Sequence, residues 1–181
     1  MLKKVLITLF ILLNSTYVQA AGYDVFSFGY FDLEKWVVDG VQPDEAYDFR
    51  YERRFDNSVF DIGPESENFF YLKPFAGIKI TSDAASFFYG GVYLEDDLGT
   101  LFIGEKSNLI FTPSVGVGLY NNGNGKKLGN IFQFRSSADF SYQLESKNRI
   151  GISITHLSNG NIAGKNPGAE IISFSYQIPF N

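Results

Sequence analysis

Residues 149–159 read Arg-Ile-Gly-Ile-Ser-Ile-Thr-His-Leu-Ser-Asn. In an extended chain, side chains alternate between two sides, so Ile150, Ile152, Ile154, His156 and Ser158 share one face. An imidazole and a hydroxyl therefore continue a row of isoleucines. Downstream, residues 169–180 place Glu170, Ile172, Phe174, Tyr176, Ile178 and Phe180 on the corresponding face. A hairpin centred on Ala163 opposes Ile150 to Tyr176, Ile152 to Phe174, Ile154 to Ile172 and His156 to Glu170. Directly opposed residues have Cβ atoms about 4.5–5.5 Å apart. Ser158 lies roughly 7 Å along the strand from His156, within reach of an imidazole. Hydroxyl, base and a carboxylate that orients the base are the groups, in order, that nucleophilic catalysis needs. A lone histidine in a strand is more often a packing or interfacial residue, and a His-x-Ser triplet arises readily by chance. The register-matched Glu170 is what singles the three out.

Such a row needs a strand to carry it, and the chain supplies strands throughout. Residues 131–144 place Phe132, Phe134, Ser136, Ala138, Phe140, Tyr142 and Leu144 on one face and Gln133, Arg135, Ser137, Asp139, Ser141 and Gln143 on the other. Residues 46–55 set Tyr47, Phe49 and Tyr51 against Asp48, Arg50 and Glu52. This period of two predicts eight strands, at 23–31, 45–55, 69–80, 86–94, 108–120, 131–144, 149–159 and 169–180. Helical periodicity is hard to find. Turn-rich segments separate the strands, as at Asn121-Asn122-Gly123-Asn124-Gly125, where Asn-Gly pairs suit positive φ. For the last three strands to keep one face parity, the turn at 144–148 must have five residues or a bulge. The segments 56–68 and 95–107 look long for turns at the end that holds the termini.

Alternation alone does not decide which face is inside. A soluble, lipocalin-like barrel hides its aromatics, whereas a membrane barrel keeps a polar lumen and an apolar belt. Three features favour the membrane: an even strand count, strands of nine to fourteen residues, and the N-terminus. Residues 1–20 combine Lys3 and Lys4, an apolar run from Val5 to Leu13, and a small-residue site at Val18-Gln19-Ala20, the pattern of a secretory signal peptide. The aromatic-rich end Tyr176-Gln177-Ile178-Pro179-Phe180-Asn181 also suits an outer-membrane barrel. The expected organisation is a leader over 1–20 and one all-β, eight-stranded antiparallel transmembrane β-barrel over 21–181. Eight strands leave an interior that side chains nearly fill, so transport is not expected and function belongs to the rim or outer wall.

Composition removes other classes. The 181 residues contain 15 Lys and Arg against 20 Asp and Glu, a formal charge of −5, which argues against nucleic acid as a partner. With no cysteine and one histidine, thiolate chemistry and a multi-histidine metal site are excluded, and no metal or organic cofactor is required. With both termini periplasmic, 149–159 rises outward and 160–168 becomes an external loop. His156, Ser158 and Glu170 then face the outer leaflet, which predicts an esterase acting on a lipid.

The run His156-Leu157-Ser158-Asn159-Gly160, continued by Asn166-Pro167-Gly168-Ala169-Glu170, resembles the lipid A 3-O-deacylase (PagL) family of outer-membrane barrels. The resemblance rests on about 25 residues, the His-x-Ser-Asn signature and a Glu at the matching distance; Gly160 stands where Ala is common. It implies hydrolysis of the ester at the 3 position of lipid A, with Ser158 as nucleophile, His156 as general base and Glu170 orienting it. The lipid A of lipopolysaccharide is then the substrate, with membrane lipids around the wall, and the resemblance allows a homodimer. Asn159, Gly160, Asn166 and Gly168 are candidates to hold the oxyanion, and Lys126, Lys127 and Lys165 to meet lipid A phosphates. A plain turn or solvated-loop role is the alternative for Asn166 and for each lysine. Two other functions stay open: a phospholipase using the same three residues, and a non-catalytic barrel serving adhesion or envelope structure.

Overall fold

A computed structural model describes residues 22–33, 46–61 and 71–180; the expected leader over 1–20 lies outside the described residues. Eight long strands run through them: β1 Gly22–Phe31, β2 Ala46–Phe55, β3 Tyr71–Thr81, β4 Ser86–Tyr93, β5 Leu109–Asn121, β6 Phe132–Gln143, β7 Arg149–Ser158 and β8 Ala169–Phe180. Each pairs antiparallel with its chain neighbours, and β1 pairs with β8, so the sheet closes on itself and leaves no long edge unpaired. The strand limits agree with those read from alternation to within two residues.

The wall is inverted relative to a soluble barrel. On β2, Tyr47 and Phe49 point outward and are exposed, while Asp48, Arg50 and Glu52 are buried. On β6 the outward residues include Phe132, Phe134, Phe140 and Tyr142, and the buried ones Gln133, Arg135 and Asp139. Charges inside and aromatics outside exclude the lipocalin-like reading, because water would meet the apolar face and the charges would lose it. The chain is a transmembrane β-barrel.

The interior is packed with ions and rings. Glu52 lies 2.8 Å from Arg54, 3.2 Å from Arg135 and 3.9 Å from Arg50, and accepts a hydrogen bond from the Tyr89 hydroxyl at 3.0 Å. Arg54 also pairs with Asp139, and Lys79 with Asp48 at 3.1 Å. Phe87 stacks on Tyr89 with ring centroids 4.9 Å apart. The Phe75 ring tip occupies space that only glycine leaves: a Cβ at Gly91 or Gly116 would come within 2.9 or 3.1 Å of it. Side chains fill the lumen, in keeping with an eight-stranded barrel.

One end, here the lower, carries Gly22, Phe180 and the segments 56–61, 94–108 and 144–148; the upper carries 82–85, 122–131 and 159–168. The 144–148 turn has the five residues that parity requires. Leu144 donates its N–H to the Asn148 carbonyl at 2.9 Å, and β6 and β7 pair with Tyr142 opposite Ile150. The long lower segment 94–108 holds a short ladder, Asp96–Asp97 against β5, and a one-and-a-half-turn helix, α1, Leu98–Ile103. Periodicity did not anticipate that helix, since six residues are too few to show a helical repeat.

Candidate active site

The upper end of the β7–β8 hairpin gathers the residues that began the sequence reading. The pairing is centred on Ala163: Ile152 faces Phe174, Ile154 faces Ile172, and His156 faces Glu170. Strand alternation puts all of them on the outer wall. His156 Nδ1 lies 2.6 Å from Glu170 Oε1. With the carboxylate ionised it can only accept, so Nδ1 carries the hydrogen, and in the neutral imidazole Nε2 then presents a lone pair. The two side chains are 45% and 41% exposed, open toward the surroundings of the barrel.

Ser158 ends β7, one step up the same row from His156, and faces Phe134 of β6. No hydrogen bond joins it to His156 in this structure. Gly168 sits over the imidazole: with φ +67° it has no side chain, and a Cβ there would lie 3.6 Å from His156 Cε1. Cε1, the ring atom between the two nitrogens, is thus the imidazole atom next to Gly168.

That loop is tied from within. Asn159 points into the barrel, is fully buried, and donates from Nδ2 to the carbonyls of Leu128 and Lys165, both at 2.7 Å. Its backbone N–H goes to Asn166 Oδ1 at 2.9 Å. Asn159 therefore has no donor left for an oxyanion. Its place in that set is corrected to a tie between the 122–131 and 159–168 loops. The same bond fixes the Asn166 amide: because Oδ1 accepts, Nδ2 faces away with two hydrogens to give. Gly160 is exposed at φ +60° beside the Phe134 ring.

The lysines divide. Lys126 is buried and paired with Asp32 at 2.7 Å, and its carbonyl accepts from the Tyr120 hydroxyl, so the expectation of a phosphate contact is withdrawn. Lys127 and Lys165 are exposed in the upper loops. Ser136 went unremarked as a site residue. It stands on the outer face of β6 directly opposite His156, giving the imidazole a second hydroxyl neighbour. The signal was its polar type in an otherwise apolar row, and only the β6–β7 register gives it meaning.

Two apolar grooves run along the outer wall below the site. One, of about 360 Å³, is lined by Phe28, Tyr30, Tyr47, Ile152, Ile172 and Phe174. The other, of about 460 Å³, lies beyond Phe28 and Phe174 among Phe26, Phe49, Tyr51, Ile78, Ile80 and Tyr176. Ile172 is two residues from Glu170, so the first groove starts at the site.

The family model for lipid A 3-O-deacylase (PagL) matches residues 77–179, more than half of the chain. The chain belongs to this family. Its matched stretch contains β4 to β7, nearly all of β8 and the whole His156–Glu170 region. A curated relative, lipid A deacylase PagL of Bordetella bronchiseptica (strain ATCC BAA-588 / NCTC 13252 / RB50), is 36% identical over 55 residues. That stretch is 30% of this chain and 31% of the relative, so the match spans about a third of the relative's length. Among solved structures, the outer membrane enzyme PagL superimposes with a TM-score of 0.63 at 14% identity, covering 87% of this chain and 99% of the other. Neisserial surface protein A (NspA) gives 0.55 at 10% identity, over 88% and 99%. At those identities the likeness is one of fold.

Proposed function

We propose that this barrel is a serine esterase of the bacterial outer membrane that removes the acyl chain esterified at the 3 position of lipid A. The observation that carries the reading is the 2.6 Å His156–Glu170 pair on the outer wall, with a serine one step along the same row. Family membership supports the reaction class. The upper end then faces the outer leaflet, where lipopolysaccharide lies.

Glu170 holds the tautomer that leaves His156 Nε2 as base. His156 takes the Ser158 proton as Oγ attacks the acyl carbonyl, and the tetrahedral oxyanion forms. The imidazolium returns that proton to the departing sugar oxygen, leaving an acyl-serine. Water, activated by the same base, then releases the fatty acid and restores the hydroxyl. The Ser158–His156 hydrogen bond forms in the substrate complex, as such bonds commonly tighten there. Asn166 Nδ2 and the backbone N–H groups of Gly160 and Gly168 are the donors for the oxyanion, which needs them in place beforehand. The groove that begins at Ile172 takes the acyl chain against Ile152, Phe28 and Phe174. Lys127 and Lys165 are the remaining cations for lipid A phosphates.

Mass spectrometry of lipid A and phospholipids from cells expressing the wild type and Ser158→Ala tests this. Loss of one 3-hydroxyacyl chain from lipid A with the wild type alone is expected. Phospholipid cleavage instead would make the protein a phospholipase. Unchanged lipids with both would make it a non-catalytic barrel.

A further inference from the structure

At the opposite end of the barrel the polypeptide builds an apolar projection that the reaction does not use. Helix α1 starts from Asp97, whose Oδ1 accepts from the Gly99, Thr100 and Ser107 amides at 2.8, 3.2 and 2.9 Å and from the Ser107 hydroxyl at 2.9 Å. Its Oδ2 accepts from the Asn108 amide at 2.7 Å. Burial alone would raise this carboxyl, but the hydrogen bonds from Ser107, Thr100 and Asn108 outweigh it and hold the group down at about 2. The clamp is thus charged at every physiological pH. One carboxylate fixes both ends of the 98–108 loop, and Gly104, at φ +75°, ends the helix.

The clamp sorts the loop by polarity. Thr100, Lys106 and Asn108, with Asp56, Ser58 and Asp96, line a vestibule of about 470 Å³ beneath the lumen. On the other side Leu101, Phe102 and Ile103 stand out together; Phe102 is 81% and Ile103 72% exposed. Three consecutive exposed apolar residues on a rigidly held turn are disfavoured in water unless something covers them. The neighbouring segment repeats the arrangement. Ser58 lines the vestibule while Val59 and Phe60 point out, held by the short ladder of Phe60–Asp61 on β3.

What covers them follows from continuity with the membrane belt. The outward row of β5 begins at Leu109, a few residues beyond α1, and continues through Phe111, Val115, Val117 and Leu119. Leu109 pairs with the exposed Tyr142, and Phe111 stacks on Phe140 at 4.9 Å. The projection packs against β5, at whose lower end this lipid-facing band begins. We propose that Leu101, Phe102 and Ile103, with Val59 and Phe60, enter the phospholipid leaflet at the lower end and anchor the barrel there. Short amphipathic segments of this kind lie about 5–10 Å into the headgroup and acyl boundary. The anchor shares no residue with the esterase site and takes from that reading only the orientation that puts the lower end in the phospholipid leaflet.

The test uses the full chain in phospholipid vesicles, with Trp36 replaced by Phe so that a new indole is the only one. Phe102→Trp, and separately Phe60→Trp, are reconstituted with lipids brominated either near the glycerol or near the chain end. Folding is checked by heat-modifiable mobility in gels. A blue-shifted indole that loses more intensity to the glycerol-proximal bromines is the expected result. Emission typical of water, unmoved by either lipid, would overturn the proposal. So would an indole shielded from both lipids whose shielding disappears on dilution, because a second copy would then be the cover. The two probes sit on different segments, so one remains if the other variant does not fold.

Discussion

Carboxylates meet nitrogen bases in two places in this molecule, and the two places are built differently. In the lumen, Glu52 is surrounded by Arg50, Arg54 and Arg135, all nearly inaccessible, and the Tyr89 hydroxyl completes the set. On the outer wall, Glu170 has one partner, His156, and both remain about two-fifths open. A charge in a low-dielectric interior is tolerable only when other charges and hydrogen bonds answer it. The lumen group therefore locks β2, β4 and β6 together and has no capacity left to act on anything else. The outer pair does the reverse. Glu170 engages one ring nitrogen, and the other is left uncommitted, with a hydroxyl in the same row and an apolar groove beside it. Similar residue types serve the fold where they are enclosed on several sides and are left available for chemistry where one side stays open.

The largest expected contrast lies in Ser158→Ala. It should lower deacylation by about a millionfold, as removal of a serine nucleophile does. Heat-modifiable mobility and detergent resistance should not change, because the hydroxyl makes no hydrogen bond among the described residues. His156→Asn should be nearly as severe, and the double variant no worse than either, since the groups act as one unit. Separate, additive losses measured on purified protein with lipid A would break the unit.

Next in size, Glu170→Gln and Glu52→Gln remove one negative charge each, with opposite consequences. The first should cut turnover by about 10²–10⁴-fold while leaving unfolding by guanidinium where it was. The second should leave turnover per folded molecule intact but cost about 3–5 kcal/mol of stability, because three guanidinium groups lose their common anion. A stability loss from Glu170→Gln equal to that from Glu52→Gln would erase the distinction between the two regions.

A smaller effect is expected of Asn159→Ala, which removes the donor shared by the Leu128 and Lys165 carbonyls. Leaving those acceptors unanswered should cost about 1–3 kcal/mol. Hydrogen exchange should quicken in 122–131 and 159–168 ahead of the strands, with turnover falling because Ser158 is the adjacent residue. Exchange that quickens evenly across the barrel would mean Asn159 supports the wall, not the loops.

The legibility of these features in the sequence follows the range of the forces behind them. Alternation in 46–55 and 131–144 is a local, period-two property, and it gave the strands directly; which face turns outward followed only with the even strand count, the strand lengths and the leader pattern. The pairing of His156 with Glu170 was readable because a short hairpin has few registers, and a one-residue slip would have sent the isoleucine row to the wrong face. The roles of Lys126 and Asn159 were not readable. Each depends on a partner from a distant strand or loop, Asp32 in one case and Leu128 in the other, and nothing in the local sequence announces burial. Helix α1 was missed because Asp97 reaches ten residues ahead to Ser107, a tertiary contact that overrides weak local propensity.

The smallest expected effect concerns Ser136, the hydroxyl whose importance appears only through the β6–β7 register. It flanks His156 across the strand at the spacing of a directly opposed pair, about 5 Å between Cβ atoms, while Ser158 flanks it along the strand. Both hydroxyls lie on the outer face, so proximity alone does not choose between them. Position does: Ser158 borders the 159–168 loop, where Asn166 and the Gly160 and Gly168 amides are proposed to hold the oxyanion. Ser136→Ala should therefore reduce turnover only a few-fold, by loosening the imidazole or the bound acyl chain, and should leave the acyl-enzyme on Ser158. Trapping the acyl group and mapping it by peptide mass spectrometry reads the choice directly. An adduct on Ser136, surviving in Ser158→Ala, would move the nucleophile to β6 while keeping the same base and the same carboxylate.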